Sequence, residues 1–186
     1  DAPAPAVAEL TIGLMISLLR SMHISNSEMH LGKWHRFFGR RLSEVTIGMI
    51  GVGRIGSGVL RHLKGFGSPE VLANDILPDV GKGHGYDLKW VEKEQIYNNA
   101  DIITVHTPLT ELTKNMIVKA DLLSMKKDAI VINTARGGII NEDDLYEVMN
   151  AGHLGGAAID AFNYEPYDGK LREITRCLLT AHMGSM

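Results

Sequence analysis

The sequence predicts an α/β domain in which a parallel sheet is wound on both faces by helices. Three features predict it. The apolar runs are short and continuous, as in Ala129-Ile130-Val131-Ile132, and do not alternate with polar residues, which is the pattern of strands buried on both faces. Segments of helical length and periodicity separate these runs. A spaced set of three glycines, Gly51, Gly53 and Gly56, follows the first run directly.

Taken in order, residues 7–31 read as one long helix. Its first half is apolar nearly all round, which predicts burial on more than one side. Pro3 and Pro5 precede it, and Gly32 is its stop. Residues 32–44 form a basic, aromatic connector containing "KWHRFFGRR". Strands are expected at 45–50, 71–74, 102–105, 129–132, 157–159 and 177–179. Helices are expected between them at 55–64, 91–98, 119–125 and 142–151.

Composition narrows the function. A 45% apolar content over 186 residues suffices for one well-buried domain. The formal net charge of −3 argues against a nucleic-acid binder, which carries a basic excess. A single cysteine, Cys177, rules out a disulfide framework within the chain and fits a reducing, cytoplasmic compartment. The apolar stretch 12–19 is too short to span a bilayer, and "DAPAPAVAEL" has no basic leader pattern, so neither a membrane anchor nor a signal peptide is expected. His23, His30 and His35 lack metal-ligand spacing, and no metal site is expected. Beginning at Asp1 and stopping at "TAHMGSM", the chain is expected to be a piece of a longer protein.

The glycines carry the first chemistry. A glycine pattern alone is weak, but here a strand runs into Gly51, a helix starts near Ile55, and Asp75 ends the next strand. Gly51 allows a tight turn, Gly53 lets backbone approach a pyrophosphate, and Gly56 lets the helix pack closely on the sheet. Amide groups around Arg54 and Ile55, at the helix start, face the phosphates. Asp75 accepts from the ribose diol, and the following Ile76-Leu77-Pro78 offers no arginine to a 2′-phosphate. The pattern is that of a Rossmann-type domain that prefers NAD to NADP.

Three polar residues mark three successive strand ends: Arg136 after 129–132, Asp160 after 157–159, and His182 after 177–179. Ligands of open α/β sheets collect at these carboxyl ends. A guanidinium holds a carboxylate through two hydrogen bonds at any physiological pH, and a histidine can pass a proton near neutrality. Glu165, on the loop after Asp160, supplies a carboxylate that favours the protonated imidazole and fixes its tautomer.

The stretches "GMIGVGRIG", "ADIITVHTPLT", "INTARGGIINEDDL", "GGAAIDAFNYEP" and "LLTAHMGS" make the chain resemble, over nearly its whole length, the nucleotide-binding domain of the D-isomer-specific 2-hydroxyacid dehydrogenases, on the branch that includes phosphoglycerate dehydrogenase. The resemblance implies that Arg136 binds the substrate carboxylate and carbonyl, that His182 passes the proton, and that Glu165 orients His182. It implies nicotinamide contacts from Thr134, Ala135, Arg136, Asp160, His182, Met183, Gly184 and Ser185, with His106 and Thr107 near the adenosine. It also implies a homodimer through residues 7–44, a small 2-hydroxyacid or 2-oxoacid as substrate, and a separate substrate-binding domain outside this chain. The segment "GKLREITR" is short between Glu165 and His182, so their meeting is a point for the structure to decide. The alternative reading is a non-catalytic, NAD-sensing interaction module of the corepressor type.

Overall fold

In the computed structural model, which describes residues 4–78 and 85–185, seven strands form one parallel sheet. They are β1 (Ile47–Ile50), β2 (Val71–Asn74), β3 (Leu88–Trp90), β4 (Ile102–Val105), β5 (Ile130–Asn133), β6 (Gly156–Ile159) and β7 (Cys177–Leu179). Their order is β3-β2-β1-β4-β5-β6-β7. The chain enters at the centre, winds outward to β3, then returns to β4 and winds the other way. Ile47 accordingly pairs with both Val71 and Ile102. The crevice between β1 and β4 is therefore the point where the winding reverses, and there a doubly wound sheet opens for a ligand.

All four positions of β1, β4, β5 and β6 are buried, because each strand feeds both faces. On one face, Ile47, Met49, Ile130 and Ile132 pack under helices α1 (Ala4–Leu19) and α3 (Arg54–Leu63), given in part by Met15, Leu18, Val59 and Leu60. On the other, Ile103, Val105, Val131 and Ile159 pack under α4 (Lys93–Asn99), α5 (Lys119–Ser124) and α6 (Glu142–Asn150). Asn141 caps α6, its side chain accepting from the Asp144 amide at 3.0 Å, and Gly152 leaves the helix end at φ 78°.

Two expectations are corrected. The single helix over 7–31 is two helices, α1 and α2 (Met22–His30), bent by 64° at Ser21, which takes the left-handed φ of 50°. No glycine or proline marks the break. The sign available was the loss of apolar residues after Leu19, and α2 buries none of its residues. Six expected strands are seven: β3 is a three-residue edge strand, Leu88-Lys89-Trp90, only half covered, so it lacks the continuous apolar run of a central strand. Pro3 lies outside the described residues, and Pro5 falls in the first turn of α1, where a proline is tolerated.

Helix α1 is buried on more than one side, as its composition predicts. Ala8, Thr11 and Met15 are inaccessible because α1 lies across both the sheet and α3. A Cβ on Gly58 of α3 would stand 2.9 Å from the Ala8 Cβ, so the missing side chain sets how closely the two helices approach. Among the described residues, no single helix is long and apolar enough to cross a membrane.

Candidate cofactor and catalytic site

The chain leaves β1 through Gly51, whose φ of 94° suits glycine. A Cβ at Gly51 would also meet the His106 carbonyl oxygen at 2.7 Å. A Cβ at Gly56 would collide with the Gly51 carbonyl, so a side chain there would force α3 off the loop. Gly53 differs from both: a Cβ there would meet nothing within 4 Å. Gly53 thus borders open space at the N-terminus of α3, where the first-turn amides of a helix lack intrahelical partners. Asp75 is drawn onto this loop, Oδ2 accepting from the Val52 amide at 2.8 Å and Oδ1 from the Leu77 amide at 2.9 Å.

His106 and Thr107 follow β4 on the far side of the crevice. The His106 Nε2 lies 3.0 Å from the Thr104 hydroxyl, while its Nδ1 and the Thr107 hydroxyl are buried without a partner among the described residues. Buried polar atoms left unpaired are costly. Together with the open face at Gly53 and the carboxylate of Asp75, they fit a dinucleotide lying along this edge. Burial pushes the His106 imidazole down to about 4. Its neutral form is the one that folds, so its contribution to stability is complete above about pH 6.5 and is lost as pH falls towards 4, roughly 3 kcal/mol in all. Urea unfolding from pH 7 to 4 should therefore show a shallower acid loss for His106→Gln than for the natural chain. Equal slopes would refute this.

At the end of β5, the Asn133 side chain closes a compact turn: its Oδ1 accepts from the Ala135 amide at 3.0 Å and its Nδ2 donates to the Arg136 carbonyl at 2.9 Å. Thr134 is buried, with its hydroxyl 3.0 Å from that of Thr11 on α1. Arg136 projects from the turn and is exposed, and its Nη1 donates to the Ala135 carbonyl at 2.7 Å. Two glycines follow it. A Cβ on Gly137 would collide with the Phe162 backbone, and one on Gly138 would lie 2.7 Å from Asn163 Oδ1. They let the turn carrying Arg136 press against the loop carrying Glu165.

That contact assembles the remaining polar groups. Glu165 meets His182, whose Nδ1 is 2.9 and 3.0 Å from the two carboxylate oxygens, and Oε1 also accepts from the Phe162 amide at 3.0 Å. The hydrogen bond from His182, then that of Phe162, and finally the nearby Arg136 charge hold the Glu165 carboxyl below the usual carboxylate range. The short segment before His182 does not prevent the meeting. It folds as a 3₁₀ turn, Lys170–Glu173, with Leu171 buried and its amide donating to the Tyr167 hydroxyl, while Tyr167 stacks on Phe162 at 4.1 Å. A cavity of about 610 Å³ opens beside the pair, walled by Phe162, Tyr167 and Leu179.

Asp160, only 1% exposed, turns its carboxylate to the His182 loop. Oδ1 accepts from the Thr180 hydroxyl at 2.6 Å and the Met183 amide at 2.9 Å, and Oδ2 accepts from the Gly184 amide at 3.0 Å. Met183, Gly184 and Ser185 form a 3₁₀ turn against α1, Gly184 lying close to Val7 and Leu10. Asn133, Thr104, Thr11 and Thr180 were not picked out by sequence reasoning. Their only signal was a lone polar residue, within an apolar run for Thr11 and Thr104 and at or beside its end for Asn133 and Thr180.

Fold and site together define a dinucleotide-binding α/β domain with an arginine, a glutamate and a histidine at the carboxyl edge of its sheet. Residues 12–184 match the model of the D-isomer specific 2-hydroxyacid dehydrogenase, NAD binding domain, and the chain belongs to that family. It is 37% identical, over its whole length, to D-3-phosphoglycerate dehydrogenase of Methanocaldococcus jannaschii, of which it covers 36%. It is 32% identical over 99% of its length to hydroxypyruvate reductase of Thermotoga maritima, covering 61% of that protein. Among solved structures, D-lactate dehydrogenase with NAD+ from Lactobacillus jensenii superposes with a TM-score of 0.89 at 28% identity, over 100% of this chain and 60% of the other. The chain thus spans between about a third and three-fifths of these relatives.

Proposed function

We propose that this chain is the cofactor-binding half of an NAD-dependent dehydrogenase interconverting a D-2-hydroxyacid and its 2-oxoacid, with substrate-binding parts supplied by sequence beyond it. The observation that carries the reading is the His182–Glu165 contact beside Arg136, at the edge that also holds the glycine loop. Bound NADH supplies the hydride. Arg136 holds the substrate carboxylate and aligns the carbonyl, its planar fork matching two oxygens at once. With Nδ1 committed to Glu165, Nε2 is the ring nitrogen left to give a proton to the carbonyl oxygen, or to take one from the hydroxyl in reverse. Glu165, accepting from Nδ1, holds the ring's direction.

The test is NADH oxidation by the full-length protein with a panel of 2-oxoacids, 3-phosphohydroxypyruvate and hydroxypyruvate among them because relatives are named for the corresponding activities. Turnover of at least one, abolished by His182→Ala, is expected. NADH binding without turnover of any would favour an NAD-sensing module instead.

Asp75 supports a preference for NAD over NADP, since a carboxylate held on the glycine loop repels a 2′-phosphate. Calorimetry should show tighter binding of NADH than NADPH, with Asp75→Ala narrowing the difference. Equal affinities in the natural chain would remove Asp75 from this role.

We also propose a two-fold homodimer through residues 7–44, with cytoplasmic residence fitting the one, buried thiol. The apolar side of α1 is used within the chain, so the interface is carried by α2 and the connector, where Leu31, Trp34 and Phe38 are 73%, 82% and 104% exposed. Sedimentation should give a dimer that Trp34→Ser with Phe38→Ser dissociates. A concentration-independent monomer would refute it.

A further inference from the structure

Beyond the three residues of the proposed mechanism, His182 depends on a buried clamp. Its backbone takes a φ of 50°, a left-handed conformation that residues with a side chain rarely adopt and that costs free energy. Such a conformation persists only where its surroundings enforce it. Here the enforcing group is the Asp160 carboxylate, which binds the chain on both sides of His182: the Thr180 hydroxyl two residues before, and the Met183 and Gly184 amides after. The His182 amide in turn donates to the Thr180 carbonyl at 3.0 Å, and the Thr180 amide continues the sheet by donating to Ile159 at 3.1 Å. Thr180 is therefore where the rigid end of the sheet meets the strained turn. Of the three donors to Asp160 among the described residues, only the Thr180 hydroxyl belongs to a side chain.

We propose that Thr180 is a positioning residue for His182: through Asp160 it holds the imidazole in the orientation that places Nδ1 on Glu165 and Nε2 towards the substrate. The proposal rests on the dehydrogenase reading for its kinetic consequence, though not for its structural one. A hydrogen bond to a buried, charged acceptor is among the stronger kinds, and its loss leaves Oδ1 with the Met183 amide alone. Without it the turn populates other conformations, and the fraction of molecules with His182 aligned on Glu165 falls.

The experiment compares Thr180→Val, which keeps the shape, with Thr180→Ser, which keeps the hydroxyl, in the full-length protein. Thr180→Val is expected to lower kcat roughly 10- to 100-fold, with NADH affinity by calorimetry falling by a clearly smaller factor. Thr180→Ser is expected to restore most of the loss. Independently of turnover, the His182 Nδ1 proton should give a downfield NMR signal in the natural and Thr180→Ser proteins and a broadened or absent one in Thr180→Val. Should Thr180→Val not fold, Thr180→Ala provides the same comparison. An unchanged kcat and Nδ1 signal in the valine variant would overturn the proposal. So would equal losses in the valine and serine variants, or a loss confined to NADH affinity. If the natural protein turns over no 2-oxoacid, the dehydrogenase reading fails, while the NMR comparison still decides whether Thr180 positions His182.

Discussion

Replacing Arg136 by glutamine in the full-length protein should lower kcat/KM for 2-oxoacid reduction by roughly 3–5 kcal/mol of transition-state stabilisation, the scale for breaking a desolvated charge pair. Among the described residues the guanidinium makes one hydrogen bond, to the Ala135 carbonyl, and it projects from a turn closed by Asn133. That leaves most of its donors available to a ligand. Glutamine keeps length and a donor but removes the charge, and with it the paired hydrogen bonds to a carboxylate. Lysine should fall between the two, since it keeps the charge and loses the planar fork. Steady-state kinetics decide the matter, and a glutamine variant within threefold of the natural protein would show that Arg136 does not hold the substrate.

The 186-residue chain alone should bind NAD(H) but turn over 2-oxoacids slower than the full-length protein by a factor on the order of 10³ or more. Its glycine loop, Asp75 and the unpaired His106 and Thr107 atoms all lie at the carboxyl edge of one sheet, within this chain. The substrate side is different. Arg136 is exposed, and the His182 and Glu165 side chains are each more than a third exposed. In water a single guanidinium attracts a carboxylate weakly and does not fix its orientation. Under the proposed function, substrate-binding parts outside this chain would close over the crevice, exclude that water and align the reacting atoms. Single-turnover measurements with chain in excess check this, and rates within tenfold of the full-length protein would mean that this chain holds a complete active site.

Legibility in the sequence followed burial. The central strands were readable because both of their faces are covered, so every position along Ile102–Val105 or Ile130–Asn133 had to be compact and mostly apolar. The edge strand Leu88–Trp90 was missed because one side of it meets water and the constraint is halved. The bend at Ser21 was missed because no glycine or proline marks it: a serine takes the left-handed φ of 50°. The glycine loop was legible for the opposite reason: its constraints are local, a turn and a close approach within six residues.

The sequence by itself determined that this is a doubly wound α/β domain, where its dinucleotide loop lies, and which charged residues stand at the strand ends. Each of these is a short-range property, written in neighbouring residues by burial or backbone conformation. Tertiary structure alone decided that Glu165 reaches His182 across seventeen residues, that Gly137 and Gly138 let two loops meet, and that Asp160 faces the turn around His182. Those contacts depend on the spacing of β5, β6 and β7 and on the path of each loop above them. Parallel strands bring residues far apart in sequence to one edge, and no local pattern encodes the few ångströms that separate a hydrogen bond from none.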